Sequence, residues 1–344
     1  MAQRIGRYTL RFPSHPAVLA GAAVVGTTEG EGPLRAEFDR VFPDDTLGES
    51  SFEKAESALQ REAVTLALEK AGKRPRDADL IFAGDLLNQC IGSSFGLRDF
   101  GIPFVGVYGA CSTMALALGL AGLAVDANAA RLALAVTSSH FCSAERQFRQ
   151  PLEYGGQRPP TAQRTATAAG ASVLGAHEPD KPYLAAATFG RIVDLGVQDA
   201  NNMGAAMAPA AARTVADFLH DAGAGPDSLD LVLTGDLGAV GTALFRTLLN
   251  KDYGIALSET RHADCGLLLY DRETQDVHAG GSGCGCSASV FNSHILRQLQ
   301  CGALRRVLLV ATGALLSQTS TLQGESIPCV AHAVLVCAPE NGKE

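Results

Sequence analysis

Cys111 is the residue best placed to do chemistry. It sits in Gly109-Ala110-Cys111-Ser112-Thr113-Met114, between the apolar run Ile102 to Tyr108 and the Ala- and Leu-rich stretch Ser112 to Asn128. The first run reads as a buried strand, because β-branched and aromatic residues suit a pleated, packed surface. The second is long enough and rich enough in helix formers to predict a helix. A cysteine on that strand-to-helix turn meets unpaired backbone amides and the positive end of a helix dipole, which favour a thiolate or a bound anion. A buried cysteine in a small-residue turn reads from the same letters.

The elements around it alternate. Ser51 to Ala71 places Ala55, Leu59, Ala63, Leu66 and Ala67 at helical spacing and stops at Gly72. Strands are expected at 79–85, 131–137 and 169–175. A long polar excursion from Ser138 to Thr167 holds Glu145-Arg146-Gln147-Phe148-Arg149; loops of that length are usually functional or interface elements.

The second half repeats the first. Ala71-Gly72, Pro75, Asp79-Leu80 and Gly84-Asp85-Leu86 are echoed by Ala222-Gly223, Pro226, Asp230-Leu231 and Gly235-Asp236-Leu237 at one constant spacing. Cys111-Ser112 and Arg131 match Cys286-Ser287 and Arg306 at a larger one, the difference being an insertion around Tyr253 to Gly280. That insertion carries Cys265 to Tyr270, which reads as a hairpin. Two copies of a βαβ-type unit predict an α/β body with quasi-twofold symmetry, 1–178 and 179–344, with parallel strands where helices cross over.

Composition narrows the classes. A net charge of −8 without a basic block argues against nucleic acid. Nine scattered cysteines, an odd number without paired CxxC motifs, fit a reduced thiol set better than disulfides or structural zinc. Ala17 to Val25 imitates a signal peptide faintly, but Pro13, His15 and Pro16 spoil it and a first sheet strand is expected. Ile102 to Val125 has no charged residue and passes the length test for a membrane span. Its glycines and Pro103 suit a strand followed by a fully buried helix, so no transmembrane segment is expected.

The duplicated pattern with a cysteine opening the first buried helix resembles the thiolase and β-ketoacyl synthase superfamily. The resemblance implies a five-layered α-β-α-β-α sandwich, and a homodimer paired through the strand before the cysteine. More specifically, Gly84 to Gln89, Gly109 to Thr113, Thr137 to His140, Ala144 to Arg149, Glu153 to Gln157, Met203 to Ala211, Gly280 to Cys284 and Ala311 to Ser317 resemble the stage V sporulation protein AD family. That likeness implies binding of dipicolinate (pyridine-2,6-dicarboxylate) and its uptake, with calcium, into the developing spore. It implies work inside a spore-forming bacterium, peripheral at the spore inner membrane, beside membrane-embedded products of the same operon.

Working members of the superfamily supply a base and oxyanion donors, as His or Asn, from the second copy. Here those places read Thr234-Gly235-Asp236 and Gly283-Cys284-Gly285-Cys286. Losing one oxyanion donor costs about 10²–10³ in rate and losing a general base about 10²–10⁴. A silent enzyme fold that binds without reacting is therefore expected, with no cofactor. An acyltransferase or condensing enzyme using Cys111 with Asp236, His140 or His332 as an unusual base is the alternative.

For a dianion, the resemblance turns the helices opening at Ser112 and Ser287 toward one cavity, each an anion site. Arg146 and Arg149 are candidate carboxylate forks, or interface ion pairs. Asp85 and Asp236 could hold a calcium ion, or cap the next helix or turn. Asn88, His140, Cys284, Cys286 and His332 complete the candidate ligand set, with close packing or a satisfied buried imidazole as the competing readings. Met114, Met203 and Met207 read as core.

Overall fold

A computed structural model describes residues 1–148 and 158–340. The first half runs β1 (Ala17–Val25), α1 (Phe52–Lys70), β2 (Leu80–Gly84), α2 (Ile91–Leu97), β3 (Phe104–Gly106), α3 (Thr113–Asp126), β4 (Leu132–Ser139), α4 (Phe141–Phe148) and β5 (Ala168–Gly175). The second runs β6 (Tyr183–Val193), α5 (Met203–Ala222), β7 (Leu231–Thr234), α6 (Gly238–Tyr253), β8 (His262–Asp264), α7 (Cys284–Val290), β9 (Arg306–Ala314), α8 (Gln318–Leu322) and β10 (Cys329–Cys337). Strand order is β8-β7-β9-β10-β6-β1-β5-β4-β2-β3, so each half contributes the same five-stranded pattern. The halves meet edge to edge at Tyr183 with Ala17, and Thr9–Arg11 of the first half pairs antiparallel with Ala186–Thr188 of β6. As expected for crossover connections, β2 runs parallel to β3 and β4, and β7 to β8 and β9.

Three apolar cores account for five layers. On β4, Ala133 and Ala135 face the central layer with Met114 and Leu118 of α3, while Leu134 and Val136 face Leu59 and Val64 of α1. That alternation is the two-residue period of a sheet covered on both sides. Across the molecule, Leu309 and Val334 join the central layer and Leu308 and Val310 pack on Met207 and Val215 of α5. The central layer is α3 beside α7, which continues through a π-helical turn, Phe291–Ile295, into Leu296–Gln300. Apolar on every face apart from Thr113 and Asp126 at its ends, α3 is a buried helix between two sheets. Among the described residues no helix is long and apolar enough to cross a membrane.

The repeated letters do the same mechanical work twice. Gly72 and Gly223 take left-handed backbone, φ 63° and 60°, to end α1 and α5. Pro75 and Pro226 each open a 3₁₀ turn. Asp79 accepts from the Arg131 N–H at 2.7 Å and Asp230 from the Arg306 N–H at 2.9 Å, pinning the start of β4 and of β9.

Three boundaries differ from expectation. The second central helix opens at Cys284 rather than Ser287, with Gly283 before it at φ 98°. Cys265–Leu268 is one helical turn rather than a hairpin. Within the polar excursion, α4 forms and Arg164–Thr165 pairs with Gly281–Ser282, while 149–157 lie outside the described residues.

Candidate functional site

Cys111 lies on a 3₁₀ turn, Ala110–Ser112, just ahead of α3. Ala110 is held at φ 49°, a region that costs a residue with a Cβ. Two hydroxyls lock it. Ser112 Oγ donates to Gly109 O at 2.6 Å, and Thr113 Oγ1 donates to Ala110 O at 2.6 Å while accepting from Gly109 N at 3.1 Å. Ser112, expected to touch ligand, is thus buried and holds the turn instead. From the other half Gly313 presses on this turn: a Cβ there would strike Gly109 O.

The thiol opens onto a cavity of about 660 Å³, a size typical of small-molecule sites. One wall is Leu86 to Cys90, another is Ala314 to Ser320, and Tyr108, Gln147, Met203 and Ser282 close the rest. Of the sequence candidates, Cys111 and Asn88 line it.

The others stand behind the wall or elsewhere. Asp85 is fully buried; Oδ1 accepts from Leu87 N at 2.8 Å, and Oδ2 from Ser93 N at 2.7 Å and Ser93 Oγ at 2.6 Å. It caps the turn that carries Asn88, Gln89 and Cys90, the last two at φ 55° and 52°. His140 is a satisfied core residue. Its Nδ1 accepts from Cys142 N at 3.2 Å, so the proton is on Nε2, which donates to Asp45 O at 2.6 Å. His332 accepts from Gly190 N at 3.2 Å and is off the cavity; burial lowers it to about 4. Arg146 pairs with Glu53 and its carbonyl accepts from Gln318 Nε2 at 2.7 Å, tying α4 to α8. Arg149 lies outside the described residues. Cys284 Sγ donates to Ser138 O at 2.9 Å, and Cys286 Sγ to Gly235 O at 3.8 Å; both are buried packing groups.

Asp236 is the informative one. Its Oδ2 accepts from Gly283 N at 2.8 Å, so the Thr234–Asp236 and Gly283–Cys286 stretches converge on one carboxyl. That carboxyl interacts with the Cys111 thiol, and burial raises it to about 8. Burial, then the Asp236 and Cys284 groups, push Cys111 well above the ordinary thiol range. No imidazole lines the cavity among the described residues. The carboxamide of Gln163 spends its N–H groups on Asp236 O at 2.7 Å and Gly281 O at 2.6 Å. Nearby, Glu56 is raised to about 8 by burial and by Asp85, and accepts from Ser138 and Ser143. Tyr108 is pushed up to about 12 by burial. Thiol, phenol, carboxyls and imidazole are all biased toward their neutral forms.

Sequence reasoning left Leu315 to Ser320 without a role. Those residues, a short loop and the first turn of α8, are neutral and without a chemical signature; the usable signal is Ser317, which caps α8 reciprocally with Ser320. Met203 and Tyr108, read as core and strand, also line the cavity.

The fold matches solved condensing enzymes at low identity. The 3-oxoacyl-[acyl-carrier-protein] synthase III of Aquifex aeolicus VF5 superposes with a TM-score of 0.56 at 14% identity, covering 94% of this chain and 99% of that one. AbyA1, a tetronic acid condensing enzyme, gives 0.61 at 19%, covering 93% and 99%. A single-residue variant of Xanthomonas campestris OleA gives 0.58 at 16%, covering 95% and 99%. In sequence, Stage V sporulation protein AD of Bacillus subtilis (strain 168) is 45% identical over 331 residues, 96% of each chain. The family model for Stage V sporulation protein AD matches residues 6–337. The chain therefore belongs to the Stage V sporulation protein AD family, built on a thiolase-like fold.

Proposed function

We propose that this chain is a catalytically silent thiolase-like protein that binds dipicolinate in the Cys111 cavity and serves its uptake, with calcium, into the developing spore. The observation that carries this reading is the buried carboxyl of Asp236, raised to about 8, beside the Cys111 thiol. A nucleophilic cysteine needs a group that takes its proton. Asp236 releases its own proton more readily than the thiol does, so near neutral pH the proton stays on sulfur and the nucleophile stays quiet.

The same neutrality favours a doubly charged guest. A dianion entering this cavity meets Asn88, Gln89, Gln147 and the 317–320 hydroxyls and amides as neutral donors, and the Ala110–Cys111 turn that leads into α3 lines it too. Buried carboxyls that keep their protons do not repel it. The open edge strand β3, with Phe104, Val105 and Tyr108 exposed, supports pairing with a second copy. Docking beside membrane-embedded products of the same operon, peripheral at the spore inner membrane, follows the family resemblance.

Titration calorimetry with dipicolinate, paired with intact-mass measurement after incubation with acyl-CoA, tests this. Saturable binding that persists in Cys111→Ala, with no mass gain on the wild type, is expected. A stable acyl adduct on Cys111 would instead establish the second reading, an acyltransferase with Asp236 as base. That reading draws on the same thiol–carboxyl contact.

A further inference from the structure

Away from the cavity, at the seam between the halves, three side chains from distant parts of the chain converge. His15 precedes β1, His177 lies between β5 and β6, and Glu340 follows β10. His15 Nδ1 is 3.2 Å from Glu340 Oε1, and His177 Nε2 is 3.5 Å from Glu340 Oε2. One ligand atom from each of the three lies within 4.8 Å of the others. We propose that His15, His177 and Glu340 form a site for a zinc-type divalent cation that clasps the N-terminal segment, the link between the halves and the C-terminal segment.

The donor set selects the ion. Two imidazole nitrogens and one carboxylate suit zinc and its first-row neighbours, whereas calcium needs six to eight oxygens. The two imidazole–carboxylate separations, one to each oxygen of Glu340, bracket the roughly 3.4 Å between neighbouring tetrahedral ligands that zinc bonds of about 2.0–2.2 Å set. Water would take the fourth position.

The rings are held before any ion arrives. His15 stacks on Tyr183 with centroids 4.4 Å apart and planes 19° from parallel. His177 meets the same tyrosine edge-on at 6.0 Å. His15 is also fixed at φ 51°, a backbone region unusual for a residue with a side chain. Tyr183 is itself the residue that bridges the two sheets through Ala17. Two backbone bonds flank that bridge, Val18 N to Pro182 O at 2.7 Å and Leu184 N to Pro16 O at 2.9 Å. The same edge continues as Phe12 N to Ala185 O at 2.9 Å and the pairing of Thr9–Arg11 with Ala186–Thr188, so an ion here would bear directly on the junction of the halves.

This site is independent of the dipicolinate reading, and its test must exclude dipicolinate, which is a chelator. The metal-free full-length protein is titrated with Co²⁺ followed by visible absorption, then with Zn²⁺ in competition. Thermal unfolding is recorded with and without Zn²⁺. Expected are one equivalent bound, the intense visible bands of a four-coordinate nitrogen–oxygen site without a thiolate charge-transfer band, and a midpoint that rises with Zn²⁺. Glu340→Gln, on an exposed residue, and His15→Asn, which tolerates the left-handed backbone, should each weaken binding tenfold or more. Wild-type affinity in those variants, a thiolate band, or no uptake at all would overturn the assignment.

Discussion

Replacing Asp236 by asparagine should change how stability depends on pH. The wild-type carboxyl is raised from 3.8 to about 8 in the folded chain, first by burial. Between those values the folded state holds a proton that the unfolded chain has released. The stabilisation is complete below about pH 3.8 and is lost as pH rises through about 8, with a limiting slope of about 1.4 kcal/mol per pH unit. Over the interval from about pH 5 to pH 8 this amounts to about 4 kcal/mol. Asparagine keeps an oxygen for the Gly283 N–H and has nothing to titrate. Glu56, raised to about 8 in the same direction, is present in both proteins and cancels in the comparison. Urea unfolding at constant ionic strength across that range should show Asp236→Asn gaining on the wild type steadily, by several kcal/mol at the alkaline end. Parallel profiles would mean that the wild-type group is ionised in the folded protein, and the account of a quiet thiol would lose its basis.

Dipicolinate affinity should fall as pH rises from 7 to 9, because ionised Asp236 puts negative charge behind Cys111; calorimetry should show a shallower fall in Asp236→Asn. Gly313→Ala should cost about 1–3 kcal/mol and lower the unfolding midpoint, since its Cβ would strike Gly109 O. Arg149→Ala separates the two readings of that residue: weakened dipicolinate binding with an unchanged molar mass by light scattering assigns it to the ligand, and a changed molar mass with retained binding assigns it to an interface.

What the sequence made legible was whatever depends on backbone mechanics. Asp79 and Asp230 recur because each strand after a crossover needs its first amides pinned, and the glycines at 72 and 223 recur because both helices end in left-handed backbone. The Cys111 turn was readable for the same reason. The side-chain roles were less so. Ser112, Asp85 and His140 are the polar types that bind ligands, yet each is consumed by a local bond that letters alone do not reveal: Ser112 to Gly109, Asp85 to Leu87 and Ser93, and His140 to Asp45. The cavity wall from Leu315 to Ser320 carries no reactive type, so only its placement over Cys111 marks it.

The most direct measurement is a crystal structure of the chain soaked with dipicolinate. The ring should lie in the cavity between Asn88 and Ser317, both carboxylates engaged by neutral donors or the turn that leads into α3, with the Cys111 sulfur unmodified. A cavity left empty at saturating ligand, or density continuous from the sulfur to an acyl group, would contradict a site that holds its guest without transforming it.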